Sequence, residues 1–181
     1  MLHRFPSLTG QSKPAECDSP VSGRLFHLVI LALALAGSLH AQARPTCAVV
    51  PRSLAAMKDC YRPLLVFAPN GDDARLKRQV QLLDRAADDM MDRFVLFTPI
   101  VPDGRRVTTP ADSPYTVLAP KEMAAVREQF RIPPQDFAVL LLGEDGTVKL
   151  RAANPVSADR LNELIDSMPT RKQEMLRPHA N

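Results

Sequence analysis

Two alternating patterns of apolar residues run along the chain from Leu64 onward. Short continuous apolar runs at residues 64–67, 94–97 and 137–142 predict strands that are covered on both faces, the second reaching towards Val101 despite Pro99. Between and after these runs, apolar residues recur at steps of three and four, which predicts helices with one buried side. The three stripes are Leu76, Val80, Leu83, Ala87 and Met90; Met123, Val126 and Phe130; and Leu161, Leu164, Ile165 and Met168.

The residues that flank these patterns predict where each element begins and ends. Asp72 or Asp73 is suited to cap the first helix, Pro120 to begin the second, and Ser157 to cap the last. Residues 131–134 (RIPP) should end the second helix. Pro169 should end the last helix, and the charged tail 170–181 should fray.

The element order is therefore β-α-β, then α, then β-β-α. The first β-α-β unit implies parallel strands joined by a right-handed crossover. The turn at residues 143–146 leads into a half-exposed strand at 147–151, so the last two strands form an antiparallel hairpin. The prediction is an α/β domain whose mixed four-stranded sheet is flanked by helices. Residues 102–119 show no period and are either an excursion or a functional loop.

The N-terminal forty residues have the features of an export signal. Arg24 precedes an apolar run at 25–36, and Ala41-Gln42-Ala43 has the small-x-small form of a signal-peptidase site. A membrane-spanning helix is the less favoured interpretation, because this run is short for roughly 30 Å of hydrocarbon. We therefore predict a signal peptide at 1–43, an exported domain at 44–181, and no membrane association after cleavage.

The charge of the chain bears on nucleic-acid binding, and its cysteines bear on a possible disulfide. The 181 residues include 23 basic and 20 acidic ones, well mixed, and the net charge of +3 gives no field that would favour nucleic acid. Cleavage leaves Cys47 and Cys60, and an exported compartment permits a disulfide between them, with two free thiols as the alternative. Such a bridge would be worth roughly 3 kcal/mol in the chain-entropy model.

The element order resembles the thioredoxin-like fold, and the hairpin with the last helix is similar to the C-terminal half of thioredoxins and peroxiredoxins. Three segments resemble a narrower group: residues 62–69 (RPLLVFAP), the 142–146 turn (LGEDG) with Lys149, and residues 165–175 (IDSMPTRKQEM). They are similar to domain of unknown function 4174, a family of exported bacterial proteins that is also a module of some animal extracellular proteins. The resemblance covers about residues 55–176 and departs at Glu144, where the family implies Lys.

In thioredoxin-like enzymes, a reactive cysteine lies at the N-terminus of the helix after the first strand, where the helix dipole stabilises its thiolate. Here residues 70–75 read NGDDAR, and the two cysteines of a C-x-x-C motif would fall at Asp72 and Arg75. Cys60 precedes the strand and should lie at the opposite end of the sheet. The exported domain has one histidine, His179, so a Ser-His-Asp triad or histidine metal site is not expected. We expect no cofactor and no metal.

Candidate binding residues are Asn70, Asp72 and Arg75 at the helix tip, and Arg105 and Arg106 in the long loop. The alternative for Arg105 and Arg106 is that the loop is solvated and binds nothing. Arg171, Lys172 and Glu174 form either a recognition patch or a helix end with complementary charge. The predicted function is an exported binding module without the redox cysteine pair, whose partner is an unknown protein or envelope component. The alternative is a thiol oxidoreductase or peroxiredoxin-like enzyme with unusual cysteine placement.

Overall fold

A computed structural model of the chain describes residues 47–102 and 107–176. The predicted signal peptide, Arg105, Arg106 and His179 lie outside these residues. The described elements, in chain order, are α1 Leu54–Met57, β1 Arg62–Phe67, α2 Ala74–Asp84, α3 Ala87–Asp92, β2 Val95–Ile100, α4 Pro120–Gln129, β3 Ala138–Leu142, β4 Val148–Ala152, α5 Ala158–Asp166 and α6 Pro169–Met175.

The four strands form one mixed sheet in the order β2-β1-β3-β4. β1 and β2 are parallel, while β3 runs antiparallel to both β1 and β4. The predicted parallel pair and C-terminal hairpin are therefore confirmed. Every residue of β1, β2 and β3 is buried, as is expected of strands that are covered on both faces of the sheet. The edge strand β4 is largely exposed.

The other edge strand, β2, contains Pro99 and is covered by the long loop. An edge position tolerates proline because one side of the strand needs no ladder donor. The Phe97 amide donates to the Pro114 carbonyl at 3.0 Å, and the Thr116 amide donates to the Phe97 carbonyl at 2.9 Å. The Thr116 hydroxyl also donates to the Pro51 carbonyl at 2.9 Å. The described part of the loop, residues 107–119, is thus anchored along β2.

The single helix predicted over Leu76 to Met90 is instead two helices. α2 ends at Asp84 and α3 begins at Ala87, with the intervening Ala86 outside helical geometry at φ −131° and ψ 35°. At the break, the Leu83 carbonyl accepts the Ala86 amide at 2.9 Å in a tighter turn, and it also accepts the Ser113 hydroxyl of the long loop at 2.8 Å. That carbonyl would otherwise accept from residue 87 in a continuous helix.

The prediction that Pro169 ends the last helix and that the tail frays is wrong for residues 170–175. α5 already ends at Asp166, and Pro169 lies in the first turn of α6, where its missing N–H costs nothing. Arg171 on α6 is buried. The apolar pattern did not reveal α6 because this helix is held by ion pairs, which are described below.

Candidate functional site

The tip of α2 lies just after β1, and its candidate residues form a local cap. Asp73, rather than Asp72, is the N-cap, and its Oδ1 accepts the Arg75 amide at 2.8 Å. Asn70 Oδ1 accepts the Asp72 amide at 2.9 Å. The Arg75 guanidinium folds back onto Asp73 at 2.8 Å and lies over the Phe137 ring, 4.8 Å from its centroid. The structure thus places Asn70, Asp72 and Arg75 together at the α2 tip.

Charge at this tip is balanced within the cap. The hydrogen bond from the Arg75 side chain lowers the pKa of Asp73, against a smaller opposing effect of burial. The same bond raises the pKa of Arg75. Asp72 forms an exposed ion pair with Lys77 at 2.9 Å. The helix tip therefore offers carboxylates and a guanidinium, which bind ions and hydrogen-bonding groups but cannot exchange disulfides.

Cys47 and Cys60 are joined in a disulfide, with their Cα atoms 5.6 Å apart. The bridge precedes β1, whereas the α2 tip follows it, so roughly 20 Å of strand separates the two ends. The Tyr61 hydroxyl donates to the Ala48 carbonyl at 2.8 Å and adds a second tie between the same segments. The disulfide prediction is confirmed over two free thiols.

A second cluster of charges surrounds Arg62, the first residue of β1. Its side chain is fully buried and lies 2.7 Å from Glu174 Oε1 and 3.3 Å from Glu144 Oε1. Arg62 Nη1 donates to the Arg93 carbonyl at 2.9 Å, and Nη2 donates to the Thr170 hydroxyl at 3.3 Å. Arg62 Nε is buried without a hydrogen-bond partner among the described residues.

The cluster extends through two further arginines. Arg171 pairs with Asp92 and lies 3.4 Å from both Asp166 and Glu174. Arg93 binds Asp166 at 2.8 Å. We call this set the charge network; its members are Arg62, Asp89, Asp92, Arg93, Glu144, Asp166, Arg171 and Glu174. Arg171 and Glu174 hold α6 in place through these ion pairs, while Lys172 is exposed.

The pKa values of the two glutamates beside Arg62 are shifted in opposite directions. Desolvation raises the pKa of Glu144, and the neighbouring Glu174 adds to the rise, which outweighs the attraction of Arg62. Desolvation also acts on Glu174, but hydrogen bonds and charge from Arg62 outweigh it and lower the pKa of that carboxyl. Glu144 is therefore the weaker acid of the pair, and it stands where the family resemblance implies Lys.

Three segments quoted for the family resemblance meet in this network: the start of β1, the β3–β4 turn and residues 165–175. Within the described residues, His, Cys, Asp and Glu form no group of three or more that could hold a metal ion. In that same part of the chain, no helix is long and apolar enough to cross a bilayer.

The family model described as "Domain of unknown function (DUF4174)" matches residues 53–174. The chain belongs to this family. This chain is also similar to coiled-coil domain-containing protein 80 of Danio rerio, 30% identical over 125 residues, which are 63% of this chain and 14% of that protein. The chain thus spans about a seventh of the length of this relative.

Solved structures show which fold the DUF4174 domain has. Thioredoxin peroxidase I of Plasmodium yoelii superposes with a TM-score of 0.52 at 18% identity, covering 71% of this chain and 84% of that one. The reduced 2-Cys peroxiredoxin of Plasmodium vivax has a TM-score of 0.52 at 17% identity, covering 66% and 84%. The domain is therefore thioredoxin-like, with a mixed four-stranded sheet flanked by helices.

Sequence reasoning located the helix tip but missed the charge network. One signal was available, since Arg62 directly precedes an apolar run that should be buried on both faces. A charged residue in such a strand requires charged partners. The pattern did not identify Glu144 and Glu174 as those partners, because both come from segments that lie far from β1 in the sequence.

Proposed function

We propose that this DUF4174 chain is an exported binding module on a thioredoxin-like scaffold, without thiol chemistry at the usual helix tip. The observation that supports it best is the α2 N-terminus, where Asp73 caps the helix and Arg75 covers Asp73. The cysteines of the predicted exported domain, Cys47 and Cys60, are tied to each other before β1. A disulfide is itself in keeping with export.

The binding surface we propose joins the α2 tip to the long loop, since the Thr108 hydroxyl of that loop donates to the Gly71 carbonyl, just before the tip, at 3.2 Å. Tyr115 lies in this loop at 47% exposure, next to β2, and an exposed tyrosine offers both apolar contact and a hydroxyl. The Arg75 side chain is 43% exposed, so its guanidinium can contact an acidic group of a partner. The partner is an unidentified protein or envelope component.

Site-specific crosslinking tests this surface. A photoreactive amino acid at Tyr115 should give a discrete adduct in the exported compartment, and Arg75→Glu should weaken that adduct. The same probe at Arg160, exposed on α5, is the control and should give none. Equal labelling from both positions, or labelling from neither, contradicts the proposal. Mass spectrometry of the exported chain tests cleavage after Ala43.

A thiol oxidoreductase is the second candidate, and the disulfide itself favours it. Cys47 is exposed whereas Cys60 is nearly buried, so an incoming thiol could reach one sulfur of the pair. Insulin-reduction and peroxide-consumption assays decide between the candidates. Turnover that Cys60→Ser abolishes would establish the enzyme and overturn the binding module, whereas no turnover above the Cys47→Ser, Cys60→Ser double variant removes this alternative.

A further inference from the structure

A cavity of about 550 Å³ opens beside α4, at the end of the sheet where β1 and β2 finish. Its apolar walls include Val101, Met123, Ile132, Pro133 and Pro134. Arg127 lines the same cavity. The volume falls in the range of small-molecule sites, roughly 300–1,000 Å³. A small ligand in this cavity would need no macromolecular partner, so the site goes beyond the proposed function.

Arg127 is held rigidly at the floor of this cavity by backbone carbonyls. Its Nη2 donates to the carbonyls of Ala68 at 2.9 Å and Ile100 at 2.8 Å, which follow β1 and end β2. Its Nη1 donates to the Pro133 carbonyl at 2.8 Å. The guanidinium also lies over the Phe67 ring, 5.5 Å from the centroid. These contacts use three of the five N–H groups of an arginine.

No carboxylate of the described residues forms an ion pair with Arg127. Burial lowers its pKa from the ordinary value, and the field of Asp136 opposes this only in part. A partly desolvated cation with neutral partners attracts an anion more strongly than a solvated one does. The other charges on the cavity wall, Glu128 and Arg131, have opposite signs and are both exposed.

The wall opposite α4 is formed at a conformational cost. Arg131 has φ 53°, in the left-handed region, and its amide donates to the Glu128 carbonyl at 3.0 Å. The Ile132 amide donates to the Arg127 carbonyl at 3.1 Å, which completes a Schellman turn at a residue other than glycine. This turn directs Ile132 and Pro133 back across the cavity.

We propose that this cavity binds a short aliphatic carboxylate, with the carboxylate on the Arg127 guanidinium and the alkyl chain between Met123 and Ile132. The apolar walls suit an alkyl chain, and the cation at the floor suits a single negative charge at its end. Neutral or cationic amphiphiles of the same length lack the charge that the floor attracts.

Calorimetric titration of the purified chain with octanoate, octanol and octylammonium tests the proposal. Octanoate should bind at one site, roughly tenfold or more tighter than octanol, because the charged hydrogen bond is absent in the alcohol. Octylammonium should not bind. Equal affinity for octanoate and octanol, or no saturable octanoate binding, overturns the proposal.

Variants assign the charge to its residue. Arg127→Gln should reduce octanoate binding to the level of octanol, whereas Arg160→Gln, remote on α5, should change neither. Loss of discrimination in Arg131→Gln with retention in Arg127→Gln would contradict the assignment. If Arg127→Gln fails to fold by circular dichroism, Ala124→Phe serves instead: this exposed cavity residue should block both ligands when enlarged, and unchanged octanoate binding would refute the site.

Discussion

Replacing Glu174 with alanine tests the charge network at its centre. The change removes the carboxylate that lies 2.7 Å from the fully buried Arg62 guanidinium, together with a contact to Arg171. Glu144 remains 3.3 Å from Arg62 and can still compensate part of its charge. The experiment therefore measures what one carboxylate contributes when a weaker partner is left in place.

The expected loss follows from the burial of the pair. Removing one partner of a buried ion pair costs about 3–5 kcal/mol, and a single hydrogen bond to a charged group contributes about 1.5–3 kcal/mol. Since Glu144 remains and the Glu174 side chain is 19% exposed, we expect a loss of about 2–3 kcal/mol in the free energy of unfolding. This is a large part of the 5–15 kcal/mol that is typical of a domain.

Urea unfolding followed by circular dichroism measures the loss, with Glu163→Ala as the matched control. Glu163 pairs with Arg160 at 3.6 Å, and both side chains are more than half exposed, so its removal should cost less than about 0.5 kcal/mol. If Glu174→Ala loses no more than this control, the network does not stabilise α6 and the reasoning fails.

The neighbouring Glu144 should respond in the opposite sense. Its pKa is raised in the folded state above its ordinary value of 4.5, so its stabilising effect is present below that value and is lost as the pH rises through the folded pKa. Glutamine cannot ionise, so the Glu144→Gln variant does not lose stability as the pH rises. At pH 7 it should be at least as stable as the parent chain. A loss as large as that of Glu174→Ala would contradict the assigned direction.

Three further predictions concern separate sites. Arg131→Gly should raise the free energy of unfolding by about 0.5–1 kcal/mol in urea, because glycine adopts a positive φ without strain; destabilisation would refute the strained turn. The pKa of Asp145, lowered to about 2 chiefly by the Lys149 hydrogen bond, should rise towards 3.8 in Lys149→Met by NMR titration, and an unchanged midpoint would exclude Lys149 as the cause. The stabilising effect of this carboxyl is present above pH 3.8 and is lost as the pH falls through about 2. Replacing Cys47 and Cys60 with serine should lower stability by about 3 kcal/mol, and an unchanged urea midpoint would show that the bridge does not stabilise the fold.

Apolar runs predicted the sheet well because buried strands leave a strong local signal. Residues 64–67 and 137–142 lie within or beside β1 and β3, and the parallel and antiparallel pairings follow from the element order. The break between α2 and α3 did not show in the apolar pattern, since the Leu83 carbonyl accepts both the Ala86 amide and the Ser113 hydroxyl of a loop that has no apolar period.

In the candidate sites too, contacts between residues close in sequence could be predicted, and contacts between distant segments could not. The helix tip could be found from the sequence because it directly follows the first predicted strand, and the capping contacts of Asn70, Asp73 and Arg75 all lie within a few residues. The charge network and the Arg127 cavity bring together segments that are far apart in sequence. The sequence alone gives no reason to expect that a basic helix residue such as Arg127 is partly buried. Only the fold shows that its guanidinium donates to carbonyls at the ends of β1 and β2.

The position of Glu174 near the end of α6 has a practical consequence for anyone who excises this module from a longer polypeptide. A boundary drawn after the last apolar helix, at residue 168, would keep the whole sheet yet remove Arg171 and Glu174 together. Arg62 would then stay inside the fold with Glu144 as its remaining carboxylate. Expression fragments of this chain should therefore extend to at least residue 175, the end of α6, if the buried Arg62 is to keep both of its carboxylates.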